Sequence, residues 1–115
     1  MYEAYQIVAV LTILANAVIA ILDFCKANFV LQNSAAVDVP ESWIPWLAAL
    51  KAAGATGLLL GLLGVPYVGT AAAVGLVVFF IGAVLTHIRA KAISTIGAPV
   101  AYLALAVATL TLGLV

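Results

Sequence analysis

The chain is 115 residues long, formally uncharged at neutral pH, 68% hydrophobic and only 7% charged. Soluble globular domains are roughly 45–50% apolar and about 25% charged, and a domain this small leaves too much of its surface in water to hide the surplus. These values exclude a soluble domain and, with no basic face, exclude nucleic acid as a partner; they imply a single all-α domain, residues 1–115, whose first partner is the lipid bilayer.

A helix needs about 20 apolar residues to cross the hydrocarbon core. Four segments have that length: about 4–24, 43–63, 68–88 and 98–115. They predict an integral membrane four-helix transmembrane bundle. The first segment follows Met1, Tyr2 and Glu3, without the basic start or the small-residue cleavage site of a secretory signal, and reads as a retained helix. It carries Thr12, Asn16 and Asp23 at i, i+4 and i+11, spacings that return to one helical face.

Residues 25–42 form the main loop, read either as a solvated connector or as a cap over the bundle mouth. Lys26-Ala27-Asn28-Phe29-Val30-Leu31 is expected to extend helix one, and Asn33-Ser34 and Val39-Pro40-Glu41-Ser42 to break it. Cys25 is the one cysteine, which excludes an internal disulfide and a C-x-x-C redox pair.

Ser42 reads as the N-cap of the second helix, with Pro45 in its first turn, where a missing N–H costs little. Trp43, Trp46 and Tyr67 mark the two ends of that helix as interfacial anchors. Gly54, Gly57, Gly61 and Gly64 fall at i, i+3, i+7 and i+10, a smooth stripe for close packing. Gly75 and Gly82 on the third helix are its expected counterparts, with a dimer interface as the other reading. Gly64-Val65-Pro66 predicts a short turn, so helices two and three are antiparallel neighbours.

Lys51 lies eight residues beyond Trp43, roughly 12 Å along the helix axis. A charge at that depth costs about 2.5–3.5 kcal/mol on insertion scales, so it must face protein and find a partner. Asp23 is the candidate partner, and His87 and Arg89 end the third helix at the same level. The candidate ligand-binding set is therefore Asn16, Asp23, Lys51, Thr86, His87 and Arg89. The alternative is an ion pair that only orients helices, with Lys51 snorkelling and Arg89 on lipid phosphate. Catalytic roles, if any, would fall to Lys51, Asp23 and His87. No phosphate loop, H-E-x-x-H, G-x-S-x-G or metal-ligand cluster occurs, so no metal is expected. Lys26, Arg89 and Lys91 share one side, which predicts a cytoplasmic main loop and both termini outside.

In this setting Asp23-Phe24 with Lys26, Phe29-Val30-Leu31, Val39-Pro40 with Ser42-Trp43, the block from Leu50-Lys51-Ala52-Ala53-Gly54-Ala55 through Gly57-Leu58-Leu59, and Gly82-Ala83-Val84-Leu85-Thr86-His87-Ile88-Arg89 form a distinctive combination. It resembles the DoxX-like family of small four-helix bacterial membrane proteins, most strongly over residues 23–90. The resemblance implies the four-helix fold and a bacterial cell membrane. Its relatives are associated with thiosulfate:quinone oxidoreduction, with membrane complexes linking thiol and oxidative-stress enzymes, and with assembly of other membrane proteins. Many carry glutamate where this chain has Lys51, so no carboxylate role transfers there.

Two functions follow as expectations. The first is an accessory or scaffold subunit, without a cofactor, serving partner membrane or redox proteins or a second copy of itself as a homodimer. It expects the polar cluster to be satisfied internally, with no cavity large enough for a ligand. The second is a binder or enzyme for a small hydrophobic substrate such as a quinone, sterol or other isoprenoid. There Lys51 would anchor a carbonyl, Asp23 would set its charge, and His87 would give or take a proton.

Overall fold

The computed structural model describes residues 2–25, 31–32, 35, 39–65, 67–91 and 96–114. Among the described residues four long helices are present: α1 Tyr2–Phe24, α2 Ile44–Leu62, α3 Val68–Arg89 and α4 Gly97–Leu114. Each is long and apolar enough to cross a membrane. Among the described residues there is no strand. The expected extension of helix one over Lys26–Val30 and the break at Asn33-Ser34 lie outside the described residues, as does Pro66.

α1 packs on α2 and α4, and α3 packs on the same two helices from the other side. The chain therefore closes into a four-cornered bundle whose sequence neighbours are also neighbours in space. Its longest dimension is 39 Å, a bilayer with its headgroup regions being about 40–45 Å.

Local chemistry sets the helix ends. α2 is entered through a 3-10 turn at Glu41–Trp43, held by the Trp43 N–H donating to the Pro40 carbonyl at 3.0 Å. Ser42, expected as the N-cap, lies inside that turn. Trp43 occupies the cap position with no side-chain hydrogen bond, and Pro45 follows in the first turn. Proline removes one of the N–H groups a cap would satisfy, which lowers the demand for a serine there.

α2 ends in a Schellman motif. The Gly64 N–H donates to the Gly61 carbonyl at 3.2 Å and the Val65 N–H to the Leu60 carbonyl at 3.1 Å. Gly64 sits at φ +103°, with nothing within 4 Å of where a Cβ would lie. Its role is thus to stop the helix, because a left-handed residue there is cheap only for glycine. Trp43, Trp46 and Tyr67 are all exposed at the two ends of α2.

The core is thin and rich in alanine, with a few large side chains at its centre. Leu58, Ala73, Leu76, Phe80 and Ala106 form its buried centre, while large side chains such as Ile7, Leu14, Val18, Ile81 and Leu85 are exposed. In lipid an exposed leucine loses nothing, so association depends on how closely the backbones approach. α2 and α3 meet that demand at one end. A Cβ on Gly57 would lie 2.6 Å from the Ala72 Cβ, one on Gly61 2.7 Å from the Gly69 Cα, and one on Gly54 would overlap the Leu76 side chain.

The stripe of contact does not run the full length of the pair. Gly75 and Gly82 are exposed, with nothing within 4 Å of a Cβ position, so neither takes part in the α2–α3 approach. Above Gly54 the same face of α2 carries Leu50 and Trp43, 57% and 55% exposed. The close glycine contacts thus lie in the half of the pair near the connecting turn.

A second, polar contact joins α1 to α4. The Thr12 and Thr109 hydroxyls lie 2.8 Å apart, and Tyr102 donates to the Ala15 carbonyl at 3.2 Å. Hydroxyls between transmembrane helices commonly serve this bridging purpose.

Candidate functional site

The opening between the helices at the loop end forms a cavity of about 450 Å³ to which all four contribute. α1 brings Asp23 in its last turn, α2 brings Lys51 two turns from its start, α3 brings Phe79, Thr86 and His87, and α4 brings Pro99 and Tyr102. The remaining wall is apolar, chiefly Ile44, Leu47, Leu50, Val78 and Phe80.

The charged centre is a buried ion pair. Lys51 Nζ donates to Asp23 Oδ2 at 2.7 Å, with the two side chains 13% and 5% exposed. The ammonium also lies 5.6 Å from the centroid of the Phe79 ring, within range of a cation–π interaction. One carboxylate oxygen accounts for one of the three N–H donors of Lys51, and among the described residues the ammonium, which lines the cavity, has no other hydrogen bond.

His87 is buried in the last turn of α3. Its Nδ1 lies 2.9 Å from the Ala83 carbonyl oxygen. A carbonyl only accepts, so Nδ1 carries the proton, and in the neutral ring Nε2 is left as an acceptor. Nε2 is buried and, among the described residues, has no hydrogen-bond partner. It is sealed within its packing, so a ligand donor reaches it only with a small movement of the ring. The Thr86 hydroxyl donates to the Gly82 carbonyl at 2.7 Å, which leaves its lone pairs free to accept.

The structure brings Asp23, Lys51, Thr86 and His87 onto one cavity and leaves Asn16 and Arg89 off it. Asn16 is fully buried deeper in the bundle, where its Nδ2 donates to the Thr12 carbonyl at 2.9 Å. Its Oδ1 is a buried acceptor with no partner among the described residues. Arg89 is exposed at the end of α3, because two residues along a helix from His87 turn it to the opposite side. Among the described residues no three His, Cys, Asp or Glu side chains gather as a metal site, and Cys25 is exposed.

Sequence reasoning did not find the aromatic wall. Tyr102 stacks on Phe80, with ring centroids 5.3 Å apart and planes 10° from parallel, and Phe80 meets Phe79 edge-on at 5.0 Å. The available signal was weak. Tyr102 is the sole aromatic of α4 and sits three residues after Pro99, a position equally suited to an interfacial anchor. Thr109 was also missed, although its spacing of seven from Tyr102 places both on the face towards α1.

A family model described as the DoxX-like family matches residues 7–109. No curated protein and no solved structure matches the chain. With most of its length covered, the chain belongs to the DoxX-like family and is an integral membrane protein of four apolar helices.

Proposed function

We propose that this DoxX-like membrane protein binds a small hydrophobic molecule, holding its polar head in the loop-end cavity and its apolar body among the helices. The observation that carries the reading is the cavity itself. Its volume of about 450 Å³ falls within the range of small-molecule sites, which are mostly apolar with a few placed polar groups.

The roles follow from donor and acceptor counts. Lys51, with donors to spare beyond Asp23, favours an acceptor oxygen such as a carbonyl. Asp23 cancels the lysine charge, so the site favours an uncharged head over an anion. Thr86 offers acceptor lone pairs, and His87 Nε2, in the neutral ring, can accept a hydrogen bond from a bound hydroxyl. A quinone or another isoprenoid with an oxygenated head fits this set. The accessory-subunit reading expects polar groups satisfied internally and no space for a ligand; the cavity favours binding over it. Lys26 follows α1 in sequence, and Arg89 and Lys91 lie at the end of α3, so by the positive-inside rule the site is placed in the cytoplasmic leaflet with both termini outside.

The test uses the protein in lipid nanodiscs with Trp46→Phe, which leaves Trp43, a residue of the cavity wall, as the fluorophore. Decylubiquinone should quench it saturably, and Lys51→Met should abolish saturation while leaving the helical circular dichroism unchanged. Quenching that rises linearly with quinone, as simple partitioning would give, rejects the reading.

A further inference from the structure

The cavity has two ends that differ in chemistry. Towards the loops its described wall holds the buried Ile44 and Pro99, with Val39 and Ala98 also lining it. Towards the bilayer its wall includes Leu50 and Val78, 57% and 65% exposed, and the exposed Gly82. Leu50 belongs to α2 and Val78 and Gly82 to α3, all on the loop side of the Gly54–Leu76 contact.

We infer that the cavity is loaded sideways from the lipid, through a mouth between α2 and α3 bounded by Leu50, Val78 and Gly82, and that its ligand is a tailed membrane lipid. The head passes the mouth to reach Lys51, and the chain trails out between the two helices into the same leaflet. Gly82 is the clearest element of the mouth. Nothing lies within 4 Å of the position its Cβ would take, so it is not required for helix packing. A side chain placed there stands in the opening instead of against a neighbour. This inference rests on the binding site proposed above and adds its route and ligand shape.

The experiment compares Gly82→Leu with Gly75→Leu, both in the Trp46→Phe background in nanodiscs, with decylubiquinone as the probe. Gly75 lies two turns away on the same helix, is equally free of neighbours, and is not part of the cavity wall. Gly82→Leu should weaken saturable quenching of Trp43 or slow its onset by about tenfold, the size of a difference of about 1.4 kcal/mol. Gly75→Leu should leave both unchanged. If Gly82→Leu binds as tightly and as fast as the unsubstituted residue, the lateral mouth is overturned and the site stands. If Gly75→Leu is impaired equally, the effect belongs to the helix in general and the mouth is again overturned. If Trp43 shows no saturable quenching in the protein that retains both glycines, the site itself fails and the route fails with it.

Discussion

Replacing Lys51 by methionine removes the cation from a carboxylate that is only 5% exposed. Breaking one side of a buried pair typically costs about 3–5 kcal/mol, whereas removing both charges together is near neutral. Both side chains here are far from solvent, at 13% and 5%, yet Asp23 stands in the last turn of α1, where relaxation can admit water. The expected loss for Lys51→Met is therefore at the low end, about 3 kcal/mol. Asp23→Asn should cost less, about 2 kcal/mol, because the ammonium keeps the Phe79 face, a contact worth roughly 0.5–2 kcal/mol. The double variant Lys51→Met/Asp23→Asn should recover most of the loss, leaving a coupling energy of about 2 kcal/mol or more. Unfolding by dodecyl sulfate in mixed micelles, followed by tryptophan fluorescence, measures all four species. Single variants that each cost under about 0.5 kcal/mol and add without coupling would refute the buried pair and describe a hydrated surface contact.

Gly61→Ala should destabilise by about 1–2 kcal/mol in the same assay. Its Cβ would meet the Gly69 backbone at 2.7 Å, and overpacking of about 1–3 kcal/mol outweighs the helix preference of alanine of about 1 kcal/mol. Gly75→Ala, with open space around it, should be neutral or slightly stabilising. Asn16→Leu should not destabilise, since it removes a buried acceptor without a partner, a group whose burial costs about 1–3 kcal/mol; a clear loss of stability would mean that Oδ1 is hydrogen-bonded. For orientation, a cysteine at position 33 in a Cys25→Ser background should react with impermeant maleimide from the cytoplasmic side, and reaction from outside alone would reverse the proposed topology.

Much of the architecture was legible because the bilayer imposes simple rules. Segment lengths and the glycine and proline punctuation located four helices to within a few residues of the ends found in the structure. Depth alone singled out Lys51, and periodicity aligned Thr12, Asn16 and Asp23, all three of which are buried. The resemblance carried by residues 23–90 agrees with a family match that extends over residues 7–109. What the pattern left out is the angle between helices. A stripe of small residues says that a face can pack closely, and says nothing about where its neighbour diverges. Gly75 and Gly82 look identical to Gly57 and Gly61 in sequence, but a contact needs two surfaces, and these two are exposed with no neighbour within 4 Å of a Cβ position. The aromatic wall was hidden for a similar reason: in an apolar helix Phe79, Phe80 and Tyr102 read as lipid-facing bulk until the bundle turns them inward.

The central claim is that α2 and α3 part at the loop end to admit the head of a lipid to Lys51. A high-resolution structure in lipid nanodiscs with decylubiquinone tests it most directly. The account predicts elongated density that begins within hydrogen-bond distance of Lys51 Nζ and leaves the bundle between Leu50 and Gly82. Helices α2 and α3 closed on one another, with Leu50 packed against Gly82 and no density beside Lys51, would contradict it.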